Sequence, residues 1–211
     1  ADLMDQAWWS PGLMQPDGSA TFTLGFSGGI FVDNGGQRFM DESVAYDRAG
    51  RRIIELVESG QLTLPFWYIY DNRGEGAPPI YWPNVPFLDT AAYQAANLWR
   101  SAPTLGELAE KIDVPADALE ASVARFNSHC AKGEDSDFHR GDEPYERIVV
   151  YGESPLVPIG EGPYHAAAFV LSDLGTKGGL RTDENARVLN TGGDVIQGLY
   201  AAGNSMAAVS G

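Results

Sequence analysis

Apolar and polar residues alternate through Thr21-Phe-Thr-Leu-Gly-Phe26, the period of a strand with one buried face. Gly29-Ile-Phe-Val-Asp33 predicts a second strand, and Asn34-Gly35 is a strong hairpin signal, so Ile30 to Val32 are expected to pair with Arg38 to Met40. The period then lengthens. Ala49, Ile53, Leu56 and Val57 stand at i, i+4, i+7 and i+8, which predicts an amphipathic helix within 43–58, capped by Ser43 or Asp41 and ended at Gly60. Leu64 to Asp71 read as a strand entered through Pro65, followed by a turn at Asn72-Arg73-Gly74. Thr104 and Glu107 form a capping box for a short helix through Ile112, and Leu119, Val123, Phe126 and Cys130 line one face of a longer helix that Gly133 stops. Residues 1–20 show no clear period, and 134–143 read as a solvated, turn-rich loop. Near the carboxyl end, Val195 to Ala202 read as a turn feeding a buried strand that stops at Gly203-Asn204, followed by the small residues Ser205-Met206-Ala207-Ala208. The pattern is that of an α+β protein, a small antiparallel sheet flanked by helices.

Composition narrows the partners. Fourteen basic residues against 29 acidic ones give a net charge of −15, which argues against a nucleic-acid phosphate backbone as ligand. No run approaches the length of a membrane span and no basic leader precedes an apolar run, so a cytoplasmic location is the expectation. Cys130 is a single cysteine and predicts neither a disulfide nor a metal site; its plain reading is a buried helix residue. Counted from Asp135, Glu146 falls at the twelfth place of a calcium loop, but His139 and Arg140 occupy places that need an oxygen ligand and a glycine, so no metal is expected. There is no Gly-x-Ser-x-Gly elbow, no Walker loop, no zinc-spaced cluster, and no Gly-x-Gly-x-x-Gly after a strand.

The glycines cluster late instead. Asp173-Leu-Gly-Thr-Lys-Gly-Gly-Leu180 and Gly198-Leu-Tyr-Ala-Ala-Gly-Asn204 surround apolar runs with residues small enough for backbone to approach a flat ligand. These two stretches resemble the C-terminal return of the flavoprotein superfamily that contains fumarate reductases and 3-ketosteroid dehydrogenases. Gly28 to Glu42 is similar to the hairpin that opens the catalytic domain in the same superfamily, and Asn127 with Gly133-x-Asp-x-Asp-Phe-His-Arg-Gly141 is similar to ketosteroid dehydrogenase sequences. Asn204, where the fumarate reductase group usually has Glu, and Thr176 or Lys177, where it has a substrate-binding His, favour the ketosteroid branch.

The resemblance implies FAD as cofactor, with Gly178, Gly179, Ala202, Gly203 and Asn204 facing it. It implies a catalytic, substrate-capping domain over 1–176, a partial return of the FAD-binding domain over 177–211, and a missing N-terminal FAD-binding domain that carries the phosphate-cradling loop. It also implies dehydrogenation of a 3-ketosteroid next to its carbonyl, the proton passing to a tyrosine base and hydride to flavin N5. In the family the base lies in an Asn-Glu-Ser-x-Pro-Tyr type of stretch. Asp41-Glu-Ser-Val-Ala-Tyr46 matches it at Glu42, Ser43 and Tyr46, with Ala45 where Pro is common. Read from the residues alone, Tyr46 is a half-buried anchor near a helix start. A tyrosine base needs its pKa brought down from about 10. The family's ketone-polarising loop would follow residue 211, so the chain alone is expected to be inactive. Phe22, Ile80 and Trp82 are candidate walls for a small, apolar, steroid-like substrate, and core packing explains each equally well. Two other readings stay open: a fumarate-reductase-like flavoprotein for another unsaturated acid or ketone, and a free-standing ligand-binding domain without redox activity.

Overall fold

The computed structural model describes residues 1–84, 87 and 89–207. In chain order the elements are β1 (Ala7–Met14), β2 (Ala20–Phe26), β3 (Gly29–Val32), α1 (Tyr46–Glu58), β4 (Phe66–Tyr70), β5 (Ile80–Pro83), α2 (Thr90–Ala95), β6 (Trp99–Ala102), α3 (Leu105–Ile112), α4 (Ala116–Lys132), α5 (Pro144–Ile148), β7 (Tyr164–Thr176), β8 (Arg187–Leu189) and β9 (Val195–Tyr200). They group into two compact units, residues 10–172 and residues 1–9 with 173–211.

The larger unit is built on a seven-stranded sheet of order β3-β4-β7-β1-β2-β5, with β6 also on β7. β7 is its spine. Its first half pairs antiparallel with both β4 and β6, Ala166 lying opposite Ile69 on one side and Arg100 on the other. A strand bonded on both edges offers little room, and Ala166, Ala167 and Ala168 are all buried. One core, with Phe26, Phe31, Phe66, Tyr68 and Phe169, packs against Ala49, Ile53 and Leu56 of α1. A second core takes Ile30, Val32 and Ile69 together with Leu108, Ile112, Leu119, Val123 and Phe126 of α3 and α4. Burying an Ile or Leu side chain is worth about 1.5–3 kcal/mol, which is how α1 on one core and α3 and α4 on the other are held to one sheet.

The signals for α3 and α4 hold in detail, whereas α1 begins only at Tyr46 with Ala45 at its N-cap and is capped by neither Ser43 nor Asp41, whose side chains are engaged elsewhere. Thr104 caps α3 by accepting the Glu107 N–H at 3.2 Å, and Gly133 ends α4 at φ +73, a conformation that suits glycine. Three further expectations need correction. Residues 1–20 are not an irregular lead-in, because β1 runs through them and pairs with β2. The hairpin of β3 is only a bridge between Val32 and Arg38, since the main partner of β3 is β4. β9 is exposed along nearly its whole length rather than buried, its ladder running to β8. Val57 is also exposed, so the buried face of α1 is narrower than the spacing suggested, and Cys130 is half-buried. Ala208, at the end of the expected small-residue run, lies outside the described residues. Among the described residues no helix is long and apolar enough to cross a membrane.

Candidate functional site

Tyr46 is the first residue of α1. The segment that delivers it is fixed by side chains rather than by a helix cap, for Ala45 at the N-cap offers none. Asp41 Oδ1 accepts the Ser43 N–H at 2.8 Å, and the Ser43 hydroxyl donates to the Phe26 carbonyl at 3.0 Å. Between them, the Glu42 carboxylate accepts the Phe31 N–H at 3.0 Å and is gripped by Arg38 and Arg140. Two consecutive residues, Glu42 and Ser43, are therefore tied to β3 and β2 before the helix begins, with Asp41 bracing Ser43 locally. The Tyr46 ring then meets Phe22 of β2 edge to face, with centroids 6.0 Å apart and planes at 87°. Tyr145 of α5 adjoins it, accepting a hydrogen bond from the Tyr46 backbone.

These groups enclose a narrow crevice lined by Pro11, Phe26, Ser43, Tyr46 and Tyr145, with no room for a water molecule between them. A flat ligand would have to lie on its outer side. Tyr46 is half-buried, and its phenol pKa is raised, by burial first and by the neighbouring Asp47 second. Both causes favour the neutral phenol, the reverse of what a tyrosine base needs.

Of the candidate wall residues, the structure brings Phe22 to Tyr46 and sets Trp82 on the adjoining strand, opposite Leu24. Trp82 is 44% exposed. Its indole N–H donates to the Val149 carbonyl at 2.8 Å, and its ring lies against Tyr151 at 5.2 Å. Ile80, two residues earlier on the same strand, is half-buried and packs against the first core.

Gly178, Gly179, Ala202, Gly203 and Asn204 all belong to the smaller unit. Leu180 donates its N–H to the Ser205 carbonyl and accepts from Ala207, so the paired-glycine segment and the end of β9 are neighbours. The smallness of the pair is spent within the chain: a Cβ on Gly178 would lie 2.6 Å from the Leu3 carbonyl oxygen, and one on Gly179 2.6 Å from the Met206 backbone. Ala202, Gly203 and Asn204 are exposed, and nothing lies within 4 Å of where a Gly203 side chain would project. Open, small-residue backbone of this kind fits the edge of a planar ring system. The residues here suit the ring end of a flavin; a glycine loop for its phosphates is absent from the sequence.

Sequence reasoning missed the ion network behind Tyr46. Residues 134–143 are not a solvated loop: Asp135 and Arg140 are fully buried. Arg38 bridges Glu42 at 2.8 Å and Asp135 at 2.7 Å, and its guanidinium lies over the rings of Phe126 and Phe138. Burial works to lower the Arg38 pKa, but Glu42 and Asp135 outweigh it and hold the charge firmly. The only hint in the sequence was four charges and a Phe in a run that resembled a family motif.

Beside this network lies a cleft of about 530 Å³ lined by Phe39, Met40, Asp41, Arg48 and Glu146, among others. Burial, with Glu146 and Glu42 nearby, pushes Asp41 up to about 8 despite Arg140. Burial likewise raises Glu146, which accepts hydrogen bonds from Gly141 N–H and the Asp41 carboxyl.

His129, Asp135 and Asp137 place ligand atoms within 4.8 Å of one another, a spacing a metal could use. Asp135 is paired with Arg38 and Asp137 with Arg125, however, so a cation would have to displace two guanidinium partners.

A model of the FAD binding domain family matches residues 1–211. The 3-oxosteroid 1-dehydrogenase of Mycobacterium tuberculosis is 39% identical over 230 residues, covering 100% of this chain and 39% of that protein. The 4-oxocyclohexanecarboxylate 2-dehydrogenase of Sinomonas cyclohexanicum is 33% identical over 95% of this chain and 36% of that protein. Among solved structures, 3-ketosteroid delta1-dehydrogenase from Sterolibacterium denitrificans, in complex with 1,4-androstadiene-3,17-dione, superposes with a TM-score of 0.83 at 32% identity, over 98% of this chain and 39% of that one. The open conformation of a flavocytochrome c3 fumarate reductase gives 0.62 at 22% identity, over 96% of this chain and 32% of that one, a likeness of fold alone. The chain thus spans about two-fifths of the length of the curated relatives it matches.

Proposed function

The chain belongs to the FAD binding domain family, and from that premise we propose that it is the substrate-facing part of a larger FAD-dependent dehydrogenase acting on a cyclic ketone of the 3-ketosteroid kind. In this reading residues 1–176 cap the substrate and 177–211 return to the FAD-binding part. Relatives named for a 3-oxosteroid and for 4-oxocyclohexanecarboxylate support the class, since both names describe a ketone on a six-membered ring.

The observation that carries the proposal is the setting of Tyr46: a tyrosine at a helix start, braced on one side by Phe22 and on another by Tyr145, its approach fixed by Glu42 and Ser43, which are anchored to β3 and β2. Removing a proton from the carbon next to a ketone asks for a base held at one place. Tyr46 supplies the oxygen that takes that proton. Phe22, and Trp82 beyond it, offer apolar faces against which a flat ring can lie. Bound FAD supplies the two-electron acceptor for the hydrogen leaving the adjacent carbon. Because burial and then Asp47 raise the phenol above its ordinary value here, ionising Tyr46 requires a positive or hydrogen-bond-donating group brought in by the rest of the enzyme or by the substrate complex. The 211-residue chain alone is accordingly inactive in this reading.

The test uses the full-length protein. It should be yellow with bound flavin and reduce a dye in the presence of a 3-ketosteroid. Tyr46→Phe should keep its flavin and lose about 10²–10⁴-fold in kcat, the range a positioned base contributes. Wild-type turnover by that variant would remove the assignment.

A further inference from the structure

We infer that Arg140 is a positioning residue for Tyr46, a role that rests on the proton-accepting reading of that phenol. Arg140 is fully buried and reaches three segments at once. Its Nη1 donates to the Gly29 carbonyl at 2.7 Å and to Glu42 Oε2 at 2.8 Å, and its Nη2 donates to the Phe26 carbonyl at 3.1 Å. Each acceptor bears on where the phenol sits. Phe26 closes β2, the strand whose Phe22 braces the Tyr46 ring. Gly29 opens β3, and Glu42 lies four residues ahead of Tyr46 while also holding the Phe31 N–H of β3. The Phe26 carbonyl is shared with Ser43, so one oxygen receives the side chain that leads into α1 and the side chain that spans the strands. The guanidinium lies over the Phe126 ring at 5.1 Å, which fixes its plane and so the directions of its donors.

Stability alone is a weak reason for this arrangement. Buried ion pairs often contribute no more to stability than well-packed apolar side chains, and what they add in some proteins is a unique geometry. Here the geometry gained is the relative placement of β2, β3 and residues 42–46. A planar fork of donors can serve three acceptors on three segments, whereas an ammonium is a point charge on a flexible stem. Lysine at 140 therefore keeps the charge and loses the clasp.

The experiment uses full-length, FAD-loaded enzyme carrying Arg140→Lys, assayed with a 3-ketosteroid. Misplacing a reacting group by about 1 Å costs on the order of 10²-fold, so kcat should fall about 10- to 100-fold, with KM and flavin content within about twofold of wild type. Two further readouts separate positioning from general weakening. The deuterium isotope effect for the carbon beside the ketone should rise, because proton abstraction becomes more nearly rate-limiting, and amide exchange over residues 41–48 should quicken. Leu108→Ala, a cavity in the second core, is the comparator: it should lower the melting temperature and leave kcat and the isotope effect in place. If Arg140→Lys does not fold, Ser43→Ala, which removes only the hydroxyl bond to Phe26, decides the matter with the same pattern at about 3- to 10-fold. Wild-type kcat in these variants while Tyr46→Phe is inactive would overturn the inference and leave the proposed function standing. Losses of kcat that track melting temperature equally in Arg140→Lys and Leu108→Ala would overturn it too. Full turnover by Tyr46→Phe would remove both readings together.

Discussion

Asp41→Asn should stabilise the protein at neutral and alkaline pH relative to its effect in acid. Asp41 holds its proton because burial disfavours the carboxylate and Glu146 and Glu42 repel it, Arg140 offsetting only part of this, so its pKa lies at about 8. The unfolded chain releases that proton near the ordinary value of 3.8. Between the two values the folded state binds the extra proton. The contribution to stability is therefore complete below about pH 4 and declines as pH climbs through the folded pKa. Each pH unit in that window is worth up to about 1.36 kcal/mol, so the span from pH 5 to 7 sets a ceiling of about 2.7 kcal/mol. Solvent in the adjoining cleft screens the carboxyl and reduces this to about 1–2 kcal/mol. Asparagine mimics the protonated acid: its oxygen can accept the Ser43 N–H and its amide can donate to Glu146. It has no proton to release. Thermal unfolding of both proteins from pH 5 to 8.5 should show the difference, variant minus wild type, growing more positive with pH by about 2–8 °C for a domain of this size. Asp137, which Arg125 and His129 hold well below the usual carboxylate range against burial, weakens both proteins equally in acid and cancels. A difference that stays flat, or that shrinks as pH rises, would mean Asp41 is ionised in the folded protein.

Other consequences are narrower. Asp47→Asn removes one of the two influences that raise the Tyr46 phenol; at the 0.2–1 kcal/mol typical of exposed charges, the limb on which kcat/KM rises with pH should move about 0.2–0.7 unit toward lower pH, and a shift the other way would exclude Tyr46 as the titrating group. Gly179→Ala places a Cβ 2.6 Å from the Met206 backbone, so the 179–182 and 205–207 segments must part; flavin content should drop in the full-length protein, and unchanged flavin occupancy would dissociate this segment from the cofactor. Thr104→Ala deletes the α3 cap and should cost about 1 kcal/mol, seen as a lowered denaturation midpoint with normal kcat.

The helices were legible in the sequence because each one is governed by near neighbours. Thr104 caps within its own turn, Gly133 ends α4 at its own φ, and the i, i+4, i+7 spacing of Leu119, Val123 and Phe126 is a property of one helix surface. Strand partners are set by distant chain. The Asn34-Gly35 turn does fold tightly, with Gly36 N–H on the Asp33 carbonyl, yet β3 takes β4 as its ladder, because a covered sheet interior buries more apolar surface than a two-stranded ribbon at a turn. Two tryptophans and a proline hid β1, since its alternation is visible only once β2 lies beside it.

The site was half legible for a related reason. Tyr46 could be proposed because the family stretch is local, six residues read in order. What fixes it could not. Arg38, Glu42, Asp135 and Arg140 come from two stretches nearly a hundred residues apart, and charged residues in a glycine-flanked run carry the same signature whether they face water or one another. Burial decides between those outcomes, and a guanidinium enters the interior only where carboxylates and aromatic faces are already arranged to receive it. The 134–143 run meets that condition through Phe126 of α4, which lies under both guanidinium groups. The same helix that packs the second core thereby supplies the floor on which the buried charges beside residues 42–46 are assembled, so the setting of the small crevice is tied to packing on the far side of the sheet.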